Sequence, residues 1–251
     1  MILLSVICFG LIIGSFLNVC IHRLPLGESL VWPASRCPRC KAALKPYDNI
    51  PVIGYLMLKG RCRFCGNPIS ARYPAVELLT MSMFVAAYLL FPLPLVIQRI
   101  VFGCAMIVLF FIDLEHHRLP NEITLPGIVI GFACSFFMPP GWISSLIGIV
   151  LGGGTLWLVG WLWFVIRHEE GMGFGDVKML AMIGAFLGWE LMLATLFVST
   201  VVGSIVGMAM IAAKKGSLKT ALPFGCFLAI AAVLACVGGD RAVNWYMSLF
   251  P

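Results

Sequence analysis

Charge is what this sequence has least of. Only 11% of its 251 residues are Asp, Glu, Lys or Arg, while 61% are hydrophobic. A soluble domain of this length carries about a quarter charged residues, so a water-facing fold is excluded and the apolar excess must face lipid. Other absences narrow the reading further. Residues 1–19 carry no basic n-region, no small-residue cleavage site follows them, and the first charge is Arg23. This segment reads as a first membrane helix rather than a cleaved signal. Glycine-serine linkers, low-complexity runs and sequence repeats are also missing, as is a dinucleotide-type glycine loop behind a strand. The net charge of +6 is read as the basic bias of loops on one side of a membrane, not as a nucleic-acid surface, and no nucleic-acid partner is expected.

What is present are apolar runs near the roughly 20 residues that a spanning helix needs. They fall at Ile2 to Ile21, Ala75 to Phe91, Leu95 to Ile112, Ile123 to Met138, Ile143 to Ile166, Val177 to Trp189, Leu191 to Ala213 and Ala221 to Gly238. The expectation is an all-α polytopic membrane protein of about eight transmembrane helices with one small cytoplasmic insert. The parts are a first helix (1–22), a zinc-binding insert (23–72) and a membrane core (73–251). Val177 to Trp189 is the shortest run and either crosses, re-enters or lies buried among other helices. Pro92 and Pro94, Pro139 and Pro140, and residues 188–190 mark tight turns. With eight crossings, fifteen Lys and Arg fall on one side, against Arg99 and Arg241 on the other. By the positive-inside rule the insert faces the cytoplasm and both termini lie opposite.

Of the ten cysteines, six (Cys8, Cys20, Cys104, Cys134, Cys226, Cys236) stand in apolar stretches as small hydrophobes. The others form Cys37-Pro-Arg-Cys40 and Cys62-Arg-Phe-Cys65. Two such pairs predict a structural tetrahedral zinc site, each pair turning two thiolates onto one ion. Four thiolates leave no open position for catalysis, and an insert this poor in large apolar residues needs metal in place of a core. Reduced cytosolic thiols are the alternative.

Acidic residues within the core are few. Asp113 ends the third run and Asp176 begins the sixth, after Gly173-Phe-Gly175. Ionisable residues at membrane depth are functional candidates. Two carboxylates brought close share a proton, so one can take a proton from water while its partner donates to a carbonyl oxygen. Asp176 as a plain helix cap and Asp113 as an interfacial charge are the bland readings. Glu77, just inside the second span, suits contact with a cationic substrate or cofactor, or pairing with Arg72. Lys178 suits biasing the acidic pair or snorkelling to the interface. His116 and His117 suit a solvated loop, and Trp157, Trp161 and Trp163 suit interfacial anchoring.

At these residues the chain resembles bacterial type IV prepilin peptidases, intramembrane aspartyl proteases with a Gly-x-Gly-Asp motif. The likeness runs through Gly14-Ser-Phe-Leu-Asn18, His22-Arg-Leu-Pro25, both cysteine pairs, Asn49-Ile-Pro51-Val-Ile-Gly54, Arg72-Tyr-Pro74, Glu77, Leu119-Pro-Asn121, Gly173-x-Gly175-Asp176-Val-Lys178 and Pro223-Phe-Gly225. The chain departs from the family's pattern at His22, where tyrosine is common, and at Cys226, where proline is common. The resemblance implies catalysis by Asp113 and Asp176, supported by Gly173, Gly175 and Lys178. It implies cleavage, after a glycine, of the basic leader of type IV prepilins or type II secretion pseudopilins. It also implies methylation of the new N-terminus with S-adenosylmethionine, a bacterial inner-membrane location, and a cytoplasmic active site. It sets no oligomeric state. A peptidase without methylation, and a zinc-stabilised transporter or scaffold whose aspartates carry protons, are the rival readings.

Overall fold

The computed structural model describes residues 1–169, 173–213 and 222–248, with side chains beyond 239 described only at Ser248. Lys214, Lys215 and Lys219, used above to orient the chain, lie outside the described residues, and so does the side chain of Arg241.

The chain is an all-helical membrane protein. Its helices are α1 (Ile2–Arg23), α2 (Ile53–Met57), α3 (Arg72–Leu90), α4 (Leu95–His116), α5 (Asn121–Cys134), α6 (Trp142–Arg167), α7 (Phe174–Ala212) and α8 (Phe224–Met247). Among the described residues five helices (α1, α3, α4, α6 and α7) are long and apolar enough to span a bilayer, and the apolar stretches of α5 and α8 are shorter. Large side chains such as Phe137, Ile166 and Phe197 lie 70 to 88% exposed, which in water would be prohibitive and in lipid is not.

The expected sixth and seventh segments belong to one element, α7. It is broken at Gly188, whose φ of 81° and ψ of 174° are non-helical. Its packing shows a reversal there. Gly152 of α6 lies against Leu180, and Gly188 lies against Pro140 and Ser144, so the first arm runs antiparallel to α6. Beyond the turn Leu191 meets Gly239, Gly203 meets Phe227 and Gly207 meets Leu222, so the second arm returns antiparallel to α8. The first arm is roughly 20 Å long at 1.5 Å per residue. Counted as two arms, α7 brings the apolar segments to the expected eight.

Backbone contacts group the chain into two units, Met1–Val96 and Ile97–Pro251. Both are built on glycines four residues apart, which let helices approach closely where apolar burial cannot drive association. Gly10 and Gly14 of α1 meet the α3 backbone at Met81 and Glu77. Gly127 and Gly131 of α5 meet Met182 and Phe186 of α7, and Gly148 and Gly152 of α6 meet Gly184 and Leu180. The hydroxyl of Ser145 also donates across that last interface to the Ala185 carbonyl at 2.8 Å. A methyl at Gly148 would sit 2.6 Å from the Gly184 carbonyl oxygen. Gly148→Leu is therefore expected to cost about 3 kcal/mol or more, read as a fall in the thermal midpoint in detergent.

The insert has almost no core. Of residues 24–71 only Cys37, Gly54 and Cys62 are buried. What order it has is repeated. Cys37 N–H donates to Ala42 and Lys41 N–H to Cys37, as Cys62 N–H donates to Asn67 and Gly66 N–H to Cys62. Bridges join Arg36 with Ala43 and Arg61 with Pro68. Every one of these pairs recurs 25 positions later, so a segment whose sequence repeats only as Arg-Cys-x-x-Cys folds into two copies of one knuckle.

Candidate active site and metal centre

Asp113 lies on the last turns of α4 and is 6% exposed. Its Oδ2 accepts the Cys226 backbone N–H at 3.0 Å. That donor belongs to the first turn of α8, where backbone amides have no helical partners and carry the positive end of the dipole. Pro223 and Phe224 begin the helix here, so the amides of Gly225 and Cys226 face the carboxylate, and that of Cys226 is shared with the Pro223 carbonyl at 3.2 Å. The Cys226 thiol donates to the Phe110 carbonyl at 3.3 Å, tying the same two helices one turn earlier.

Asp176 stands in the first turn of α7, half-buried. It is near enough to Asp113 for the two charges to act on each other. Leu119 brings the elements together. A methyl at Gly175 would lie 2.8 Å from its Cβ, and one at Gly225 would lie 3.1 Å from its Cδ1 and 2.9 Å from the Asp113 carboxylate. The glycine before Asp176 and the glycine opposite Asp113 thus flank one leucine. Gly173 is the N-cap of α7, and its carbonyl accepts the Asp176 N–H at 3.2 Å.

Lys178 is tied to the loop that follows Asp113. Its Nζ donates to Asn121 Oδ1 at 2.8 Å, joining the loop after Asp113 to the helix that carries Asp176. His116, the last residue of α4, and His117, just beyond it, are exposed, and His117 sits close enough to act electrostatically on Asp113. Trp157 and Trp161 stack at 6.5 Å on a lipid-exposed face.

In the first unit Glu77 is buried at the α1–α3 contact. Its Oε2 accepts the Val52 N–H at 2.7 Å, and Val52 has a φ of 61°. Asn18, also buried, donates to the Tyr73 carbonyl at 3.0 Å, while its Oδ1 has no hydrogen-bond partner.

The four insert cysteines converge. Their sulfurs lie within 4.8 Å of one another, with Cys37–Cys65 and Cys40–Cys62 both at 4.0 Å. A disulfide needs about 2.05 Å, whereas four sulfurs around one ion at about 2.3 Å stand roughly 3.8 Å apart. The spacing fits a metal ion. The local fields favour a thiolate at two of the four. The Asn67 backbone N–H, with its side-chain amide, draws Cys65 down to about 6, and the Cys40 N–H lowers Cys37. The Ala42 N–H favours a thiolate at Cys40, but desolvation and the neighbouring sulfurs outweigh it and push that thiol up to about 11.

Comparison with known proteins decides the family. Residues 8–91 match the Bacterial Peptidase A24 N-terminal domain, and residues 100–208 match the Type IV leader peptidase family. A prepilin leader peptidase/N-methyltransferase of Aeromonas hydrophila is 37% identical over 273 residues, covering 98% of this chain and 93% of that protein. The chain belongs to the type IV leader peptidase family. Proteins of the same description from Pseudomonas aeruginosa and Burkholderia pseudomallei are 36% and 35% identical, over 97% and 89% of this chain and 93% and 81% of theirs. No solved structure matches. The two family matches take in both aspartates, all four cysteines and Glu77. The α8 residues Gly225 and Cys226, which face Asp113, lie beyond them. In the sequence, Pro223-Phe-Gly225 carries the family likeness and no sign of the contact that it makes.

Proposed function

We propose that this chain cleaves the leader peptide of type IV prepilins or type II secretion pseudopilins after a glycine, and then N-methylates the new N-terminus. Asp113 and Asp176 do the cutting. The observation that carries this is their juxtaposition: two carboxylates from different helices, 63 positions apart in sequence, near enough to interact in a site built by close glycine contacts. Such a pair holds one proton between them. One carboxylate takes a proton from the attacking water as the other donates to the scissile carbonyl. As the tetrahedral intermediate collapses, a proton passes to the leaving amine. The amides at the start of α8 fix where Asp113 points, Lys178 and Asn121 hold the two aspartate-bearing segments together, Gly175 lets Leu119 pack against the start of α7, and Gly173 leaves room beside the Asp176 carboxylate.

The basic bias of the loops supports a cytoplasmic insert and cytoplasmic aspartates in a bacterial inner membrane, where a short basic leader would lie. The tetracysteine cluster takes a structural zinc ion, its four thiolates supplying the donor set and spacing that zinc prefers. S-adenosylmethionine supplies the methyl group. A buried carboxylate, Glu77, beside the unpartnered Asn18 oxygen is suited in charge to a sulfonium or an amine, and Val52 fixes that carboxylate in place.

The test is incubation of the purified chain with a purified prepilin and S-adenosylmethionine, followed by mass spectrometry. A product cut after glycine and carrying one added methyl group supports both activities. A cut product without the methyl removes the second, and an intact precursor removes the first.

Gly225 gives a finer expectation. In Gly225→Ala the added methyl meets the Asp113 carboxylate and Leu119. Displacing a reacting group by even 1 Å costs about 10²-fold, so kcat for cleavage should fall about 10- to 100-fold with KM little changed, as steady-state kinetics would read.

A further inference from the structure

The insert carries a set of cations that the leader-cleavage reading leaves unused and even finds awkward, since a basic leader is repelled by them. Arg36, Arg39, Lys41, Lys45, Lys59 and Arg61 are exposed, and among the described residues none forms an ion pair. Asp48 is already held by Arg63 at 2.6 Å, which leaves Glu28 as the remaining acid between residues 24 and 71.

Beside these cations stands a loop that displays apolar side chains by construction. Val31 is 87% exposed and Trp32 76%. The loop is not slack. Arg23, buried at the end of α1, donates to the Ser29 carbonyl at 2.8 Å and to the Pro33 carbonyl at 2.7 Å. The Ser29 hydroxyl accepts the amides of Val31 and Trp32, each at 3.3 Å. A clamp from the last residue of a spanning helix therefore holds a tryptophan outward at that helix's end. On α2, Ile53, Leu56 and Met57 are also exposed, at the i, i+3, i+4 spacing of one helix face. Tryptophan at the end of a membrane helix belongs to the headgroup layer, apolar on one side and wet on the other. Unpaired Lys and Arg next to a membrane are drawn to anionic lipid at about 1 kcal/mol each.

We propose that the insert docks on the bilayer surface, Trp32 and Val31 entering the headgroup layer and the exposed cations binding anionic phospholipid. Lipid phosphates then occupy the charges that would otherwise oppose a basic substrate leader. The docking stands apart from the peptidase reading and holds whether or not the aspartates cleave.

The full-length chain in nanodiscs of phosphatidylcholine, with or without phosphatidylglycerol, provides the test. Phosphatidylglycerol is expected to slow proteinase K scission within residues 24–71 by about tenfold or more, and about 1 M salt to abolish the protection. With brominated acyl chains, Trp32→Phe should lose a distinct share of the tryptophan quenching that the parent shows, above the background of the six other tryptophans. A variant carrying Lys41→Gln, Lys45→Gln and Lys59→Gln, with unchanged metal content and unchanged scission in detergent, should lose the phosphatidylglycerol effect. Equal scission rates in the two lipids, or equal quenching with and without Trp32, would overturn the proposal.

Discussion

Asp113→Asn and Asp176→Asn are each expected to lower prepilin cleavage at least about 10³-fold, because each removes one half of a proton exchange worth about 10²- to 10⁴-fold. Asparagine keeps the size of aspartate, and its carbonyl oxygen still accepts the Cys226 amide that Asp113 receives. Helix content and thermal midpoint should therefore stay near the parent's, separating loss of chemistry from loss of fold. Because the two carboxylates act as one unit, the double variant should be scarcely worse than either single one. The measurement is single-turnover cleavage of a purified prepilin in detergent. If either single variant keeps more than about a tenth of the parent rate, the two-aspartate mechanism is wrong. Methylation of a prepilin supplied already cut should persist in both variants if that chemistry has its own site.

Joint replacement of Cys37 and Cys62 by serine, one sulfur from each knuckle, is the second large effect. The chain purified without chelators is expected to hold one tightly bound zinc ion, and the double variant essentially none. The consequence for the insert is severe because so little else holds it. Cys37, Gly54 and Cys62 are its sole buried residues, and a structural zinc ion contributes about 10–16 kcal/mol to the folding of small domains of this kind. Limited proteolysis should cut the variant rapidly between Arg23 and Arg72. The α5–α8 core, which packs through its own glycine contacts, should keep its helical circular dichroism. A metal-free parent whose insert resists protease as well as the metal-loaded chain would refute the role given to the cluster.

Much of this protein was legible along the chain. Apolar run length marked seven of its helices as membrane segments, and the Gly188 to Glu190 turn was visible between the two runs that became the arms of α7. The cysteine spacing announced a four-sulfur cluster, and the rarity of acids in the core singled out Asp113, Asp176 and Glu77. The glycine pairs 10/14, 127/131 and 148/152 were also readable, since their i, i+4 spacing is a sequence pattern, yet only their contacts give them meaning. The knuckle repeat shows in sequence only as Arg-Cys-x-x-Cys twice, 25 positions apart, because the rest of it resides in backbone turns that different side chains adopt equally well.

The amino-acid order by itself determined what depends on neighbours along the chain: which stretches partition into lipid, where a pair of thiolates turns toward an ion, and where a charge sits at a helix end. Tertiary structure alone decided what depends on partners far apart in sequence. It put the amide of Cys226 on Asp113, Lys178 on Asn121, and Val52 on Glu77. Those contacts follow from where helices cross and how closely glycine lets them approach, and a single residue type carries no record of the surface it will meet.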